Sequence, residues 1–160
     1  MGASWEDGDR SWRDRRPMLE QSELSPTALR CLDLQLAEAL DLAVSCHQLS
    51  DRAQCDGQDL MVVVLQKLAS DLTDLTAFLL PLVGLEHRAR TPPLPDGPSS
   101  GTDGWIARLE NRLGQAGLLA EIDAMSPGLE EGVVRLLFKL AALYQSCREL
   151  LLASAARDRA

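Results

Sequence analysis

The chain has 160 residues, of which 46% are hydrophobic but only 4% are aromatic, and its formal net charge is −8. This length suits one domain, and the scarcity of aromatic residues favours a core of leucine and alanine in helices over a β-sheet. The acidic balance argues against binding along a nucleic-acid backbone, whose phosphates require clustered lysine and arginine.

Residues 1–22 are predicted to form a disordered, flexible tail. This polar segment lacks the apolar run of a secretory signal peptide, so we expect a cytoplasmic and/or nuclear protein whose four cysteines stay reduced. Trp5 and Trp12 lie in the tail among arginines and acidic residues. An aromatic residue in such a segment can anchor a binding motif, but more often it is incidental or folds back on the domain.

The first predicted helix covers residues 26–54. Ser25 is a good N-terminal cap, and Pro26 suits the first turn, where its missing N–H is not needed. The sequence places one apolar stripe along this helix, formed by Leu29, Leu32, Leu36, Leu40, Ala43 and His47. Asp56-Gly57 then predicts a short turn.

A ladder of apolar residues marks the second predicted helix, residues 58–83. Its members alternate in steps of four and three: Met61, Leu65, Leu68, Leu72, Leu75, Leu79 and Leu82. The same spacing recurs later at Leu129, Val133, Leu136, Leu140, Leu143, Cys147 and Leu150. Such steps keep side chains on one stripe of a helix, so both segments are predicted to be helices that pack side by side.

Residues 86–103 are rich in proline and glycine, which predicts an exposed linker. A third helix is predicted over residues 104–125, with Asp103 as its cap. Gly114 and Gly117 predict a break in that helix near residues 114–117.

Ser126-Pro127 repeats the cap-and-proline signal and predicts a last helix over residues 127–155. The fold class is therefore all-α: residues 23–156 form a single four-helix bundle built from two antiparallel helical hairpins. The linker is long enough to turn locally or to cross the whole bundle, so the order of the helices stays open.

Residues with catalytic or metal-binding chemistry are scattered. Cys46 and His47 are adjacent in sequence, which turns them about 100° apart on a helix, and His47 is predicted to be a partly buried packing residue. Cys147 lies on the second ladder, as a small core residue would. The cysteines and histidines lack close zinc-ligand spacing, and no phosphate-binding glycine loop occurs. We therefore expect no catalytic, cofactor-binding or metal-binding residues.

Apolar residues beyond the ladders predict a protein–protein interface. Residues 60–65 are six consecutive apolar residues, and residues 78–85 are nearly as apolar, whereas a bundle helix needs one wide stripe. The second helix is therefore either deeply buried in its own bundle or docked against a partner helix or a second copy of the chain. The candidate interface residues are Val62, Val63, Leu80 and Val83 on this helix, with Leu34 and Leu42 on the first.

These patterns together predict a non-enzymatic helical interaction module, a small subunit or adaptor of an intracellular multiprotein assembly. Its apolar stretches are too short to insert across a bilayer, and we expect no nucleic-acid partner and no small-molecule substrate. Two alternatives stay open: a secreted, cytokine-like four-helix signalling protein, and a bundle that holds a metal or a cofactor.

Overall fold

The computed structural model describes residues 24–83 and 102–159, which form four α-helices and no strands. The helices are α1 (Pro26–Cys55), α2 (Asp59–Val83), α3 (Thr102–Ala124) and α4 (Glu131–Arg159). The predicted all-helical class is confirmed, and the contacts between the helices fit a bundle. None of these helices is long and apolar enough to cross a membrane. The predicted tail and most of the predicted linker lie outside the described residues.

The start of α1 is fixed by a serine cap that also contacts the start of α4. Ser25 Oγ accepts a hydrogen bond from the Ala28 amide at 3.1 Å, as the cap prediction requires. The Ser25 amide in turn donates to Glu130 Oε1 at 2.7 Å. Backbone N–H groups of Glu130 itself and of Ser25 hold the pKa of the Glu130 carboxyl below its usual range. The carboxylate therefore stays charged and links two helix starts.

The turn after α1 follows the glycine signal in the sequence. The Gly57 amide donates to the Gln54 carbonyl, and the Gln58 amide donates to the Ala53 carbonyl. This pair of bonds is the Schellman motif, which requires a left-handed residue between them. Gly57 provides it with φ of +72°. The predicted turn is confirmed.

The two apolar ladders both face the core. Every member of the first ladder, on α2, is buried. In the second ladder, the five residues from Val133 to Cys147 are buried, and Leu129 and Leu150 are partly buried against them. The alternation of three and four thus located the buried stripes of α2 and α4 correctly, because each of these helices uses a narrow face.

The buried face of α1 differs from its predicted stripe. His47 is exposed, and Leu42, which was expected at the surface, is fully buried. Helix α1 packs against both α2 and α3, so its buried face is wide. Small residues lie near the centre of that face: Ala39, Cys46 and Ala53. The spacing of the leucines alone therefore did not define the buried face of α1.

Helix α3 is continuous through Gly114 and Gly117, so the predicted break is wrong. A Cβ added at Gly117 would lie 3.5 Å from the Ala141 carbonyl oxygen on α4, and one at Gly114 would lie 3.5 Å from Arg148 Nε. Both glycines therefore line a close contact with α4. Packing along that contact holds the helix where glycine propensity alone would weaken it. The helix also starts at Thr102, which places Asp103 inside its first turn.

Helix α4 begins at Glu131 and not at Pro127. Gly128 has φ of +82°, a left-handed conformation that an α-helix cannot contain. The Ser126-Pro127 signal therefore opens a turn. The amides of Val133 and Val134 both donate to the Glu130 carbonyl, where the helical hydrogen bonds start.

Gly117 lies inside a helix, whereas Gly128 has a left-handed conformation. Substitution by alanine should therefore have opposite effects on stability at the two positions. Gly117→Ala should stabilise the fold by about 0.5–1 kcal/mol, because the helical glycine has room for a methyl group and loses backbone entropy on folding. Gly128→Ala should destabilise it by about 1–2 kcal/mol, because alanine disfavours the left-handed conformation. Urea unfolding of both variants measures the difference. A destabilised Gly117→Ala variant would mean that α3 and α4 lie too close for a methyl group.

Polar contacts between α1 and α3 set their relative direction. The Arg52 guanidinium lies 5.9 Å from the centre of the Trp105 ring, and Gln35 Nε2 donates to Asp123 Oδ2 at 3.4 Å. Residue numbers therefore rise along α1 as they fall along α3, which makes the two helices antiparallel. The end of α3 consequently lies near the start of α1.

Candidate functional site

The structure separates the predicted interface residues into three groups. Val63 and Leu34 are exposed, at 63% and 45%. Three others are half-buried against the core: Val62, Leu80 and Val83. Leu42 lies in the core, so it cannot meet a partner while the bundle is folded. Most of the apolar surplus on α2 is therefore covered by its own bundle, and Val63 is the main apolar side chain that it leaves open.

A larger apolar surface lies on the outer side of α3. Leu118, Ile122 and Met125 follow one another in steps of four and three, and they are 58%, 56% and 73% exposed. The core-facing side of the same stretch is formed by small buried residues, Ala116 and Ala120. The helix thus turns alanines inward and large apolar side chains outward, the reverse of an ordinary amphipathic helix.

Helix α4 adds an aromatic side chain at the same level. Arg148 Nε donates to Glu110 Oε1 at 2.6 Å, and Gly117 lies against Ala141, so residue numbers rise along α4 as they fall along α3. This register places Phe138, one turn before Ala141, level with Ala120, which lies between Leu118 and Ile122. Phe138 is 47% exposed. We define the α3/α4 patch as Leu118, Ile122, Met125 and Phe138.

The α3/α4 patch was missed in the sequence because the predicted break near residues 114–117 removed any helical register from the residues that follow. The signal was nevertheless present. Ala116, Ala120 and Ala124 recur at steps of four, which marks the side of a helix that approaches a neighbour closely. With a continuous helix, Leu118 and Ile122 fall on the opposite side.

An acidic edge borders the α3/α4 patch at the end of the bundle. Residues 121–131 carry four carboxylates and no lysine or arginine: Glu121, Asp123, Glu130 and Glu131. Burial raises the pKa of the Asp123 carboxyl, although the hydrogen bond from Gln35 acts in the opposite direction. Glu131 pairs with Arg135 one turn further along α4. The end of the bundle that carries Met125 is therefore acidic, and three of its four carboxylates already have partners in the bundle: Asp123 with Gln35, Glu130 with Ser25 and Glu131 with Arg135.

Three of the four cysteines, Cys31, Cys46 and Cys147, are buried and pack in the core, whereas Cys55 is exposed. Burial raises the pKa of the Cys46 thiol to about 12 and also raises the pKa of Cys147 and of Cys31. A reactive cysteine requires the opposite shift, because the thiolate is the nucleophile. The prediction that Cys147 is a small core residue is confirmed. Within residues 24–83 and 102–159, no group of three or more His, Cys, Asp or Glu side chains is arranged to hold a metal ion.

Trp105 has a structural role at the opposite end of α3. Its side chain is buried, and the Arg108 guanidinium lies 4.7 Å from the ring centre. A cation above an aromatic face is attracted by the negative charge of the ring surface. Arg108 lies on α3 itself, so it is the Arg52 guanidinium above the same ring that joins the beginning of α3 to the end of α1.

Similarity to known proteins offers no independent assignment. Comparisons with protein-family models, with curated protein sequences and with solved structures found no match for this chain. Its function must therefore be inferred from the α3/α4 patch and from the chemistry of the residues around it.

Proposed function

We propose that the chain is a non-enzymatic helical interaction module, a small subunit or adaptor of an intracellular assembly. The observation that carries this proposal is the α3/α4 patch, where three exposed apolar side chains follow one helical stripe beside Phe138. Isolated exposed apolar residues are common on protein surfaces, whereas a contiguous group with a polar border is typical of a binding surface.

The geometry of the patch favours a helix as the partner element. Leu118 and Ile122 on α3, with Met125 directly after the helix end, span two helical turns, so a partner helix can pack along α3 with apolar residues at matching steps of three and four. The acidic edge favours basic residues at the rim of that partner. Fully burying one large apolar side chain is worth about 1.5–3 kcal/mol, and each side chain of the patch is already partly covered by the bundle. Because association itself costs several kcal/mol, the patch alone supports a modest affinity.

The bundle architecture that we propose consists of two antiparallel hairpins, α1 with α2 and α3 with α4. Short connections support this pairing, because the turns between the helices cover only residues 56–58 and 125–130. The most extensive helix contacts also join α1 to α2 and α3 to α4. The complete α3/α4 patch then belongs to one hairpin, while Val83 and Thr102 lie at opposite ends of the bundle.

A binding role inside the cell also agrees with the side-chain chemistry. The four cysteines are free thiols, the form that a reducing compartment maintains. Those with raised pKa values are unsuited to nucleophilic catalysis. The alternatives of a secreted signalling bundle and a metal-holding or cofactor-holding bundle gain no specific support from the described residues.

The proposal predicts that charges in the patch remove the partner without unfolding the bundle. The tagged full-length chain and an Ile122→Asp/Phe138→Asp variant would be purified from the native cells, with quantitative mass spectrometry of co-eluting proteins. The wild-type chain should recover a partner at near equal stoichiometry, and the variant should recover at least about tenfold less, the loss expected for hot-spot residues. Circular dichroism should show unchanged helix content in both.

Val63→Asp is the matched control, because it places the same charge on an exposed apolar position of α2. It should retain the partner. Loss of the partner in Val63→Asp but not in the patch variant would move the docking surface to α2. Recovery of the chain alone in the wild type would contradict the subunit proposal.

A further inference from the structure

The outer stripe of α3 carries no charged side chain. Its exposed members follow one another in steps of four and three: Asn111, Gln115, Leu118, Ile122 and Met125. This is the spacing of a seam along which a helix packs against a second helix. The stripe can therefore face a copy of itself without bringing like charges together inside the seam, although the chain as a whole has a net charge of −8.

The α3/α4 patch is symmetric about the level of Ala120. Leu118 and Ile122 lie two residues before and after that level, about 3 Å along the helix axis. Phe138 lies at the level itself, in the register that the contacts between α3 and α4 set. A two-fold axis across the exposed face at this level brings Leu118 against Ile122 of a second copy, twice, and Phe138 against its own counterpart. An isologous dimer requires this reciprocity, whereas an unrelated partner does not.

We propose that the α3/α4 patch pairs with the same patch of a second copy, with the two α3 helices antiparallel and Phe138 at the two-fold axis. The copies overlap over the last part of α3 and the first part of α4. This footprint, about 20 Å square, is smaller than the roughly 800 Å² per partner of a standard interface. The dimer is therefore weak, with a dissociation constant on the order of 100 μM. A tighter partner displaces the second copy; this consequence rests on the proposed function, whereas the dimer itself does not.

Glu121 distinguishes a second copy from a partner with basic residues at its rim. It continues the row of Gly114 and Gly117 on the side of the stripe that faces α4, and it lies one residue from the level of the axis. The two Glu121 carboxylates of a dimer are thus offset by about 3 Å along the helices and repel each other. Glu121→Gln should tighten the dimer about two- to threefold at low salt. A dimer that is no tighter in this variant would contradict the pairing at this level.

Sedimentation equilibrium of the purified full-length chain, from about 5 to 500 μM around the expected dissociation constant, tests the proposal. The wild-type chain should change from monomer to dimer over this range. Phe138→Asp should raise the dissociation constant at least about tenfold, because it replaces a central aromatic residue and places two carboxylates at the axis. Leu152→Asp is the matched control, since Leu152 lies on the same helix and is equally exposed at 47%, but beyond the overlap. It should dimerise as the wild type does, and circular dichroism should show unchanged helix content in both variants.

The native Cys55 thiol reports the orientation of the two copies, because it is the only exposed cysteine of the four. Cys55 lies beyond Arg52, whose guanidinium is beside Trp105. Trp105 precedes Ala120 by fifteen residues, about 22 Å along the helix. Spin labels on the two Cys55 residues of the antiparallel dimer should therefore be at least about 44 Å apart in a double electron–electron resonance measurement.

A wild-type chain that stays monomeric throughout the concentration range would overturn the proposal. Equal weakening by Phe138→Asp and Leu152→Asp would also overturn it, because the contact would then not be centred on Phe138. A parallel pair would place both labels at the same level and give a clearly shorter distance, which contradicts the two-fold axis proposed. No other protein is present in these samples, so a failed partner capture leaves the dimer intact, and a monomeric chain leaves the partner proposal intact.

Discussion

Leu42→Ala is expected to destabilise the protein by about 2–5 kcal/mol, whereas Leu34→Ala on the same helix should cost less than about 0.5 kcal/mol. Leu42 is fully buried and Leu34 is 45% exposed. Truncation in the core loses the transfer free energy of the side chain and leaves a cavity. Truncation at the surface loses little transfer free energy and leaves no cavity. Guanidinium unfolding monitored by circular dichroism compares the free energies of the two variants.

This pair also tests the correction to the sequence-based interface, since both leucines were expected at the surface. Similar small losses for the two variants would show that Leu42 is not enclosed by α1 and its neighbours. The assignment of a wide buried face to α1 would then be wrong, and Leu42 would again be a candidate interface residue.

Tyr144→Ala should be similarly damaging, at about 3–5 kcal/mol, because it removes a large aromatic side chain from the centre of the core. Tyr144 is fully buried, and its hydroxyl has no hydrogen-bond partner among the described residues. Tyr144→Phe should therefore be neutral or stabilising by up to about 1 kcal/mol, since it removes a desolvated polar group without changing the packing.

Thermal unfolding of the two variants separates the ring from the hydroxyl group. A large loss of stability in Tyr144→Phe would reveal a hydrogen bond to that hydroxyl and would contradict its placement in an apolar core. A small loss in Tyr144→Ala would show that the contact between α3 and α4 near Gly117 is loosely packed.

The ladders made α2 and α4 predictable from the sequence. Leu72 and Leu140 belong to regular three-and-four steps, and such a pattern encodes the direction of a buried stripe locally. The cap at Ser25 and the turn at Gly57 were equally local, because each depends on hydrogen bonds within a few residues. Features of this kind need no knowledge of which helix packs against which.

The surface residues were harder to predict because exposure depends on the neighbouring helices. Leu42 is buried since α1 contacts two helices, which its own sequence does not reveal. Ile122 is exposed because α3 remains helical through Gly117 and turns its alanines toward the core. Glycine propensity favoured a break, and the close contact with α4 overrides it. The sequence thus placed the candidate interface on the helix with the most apolar residues, although most of those residues pack inside the bundle.

The most direct measurement for the proposed docking surface is the methyl spectrum of the isoleucine-labelled full-length chain, recorded with and without the partner captured from cells. If the α3/α4 patch is the docking surface, the Ile122 methyl signal should shift or broaden on addition of the partner, while the buried Ile106 signal stays in place. A complex that forms without any change at Ile122 would contradict the assignment of this patch as the docking surface.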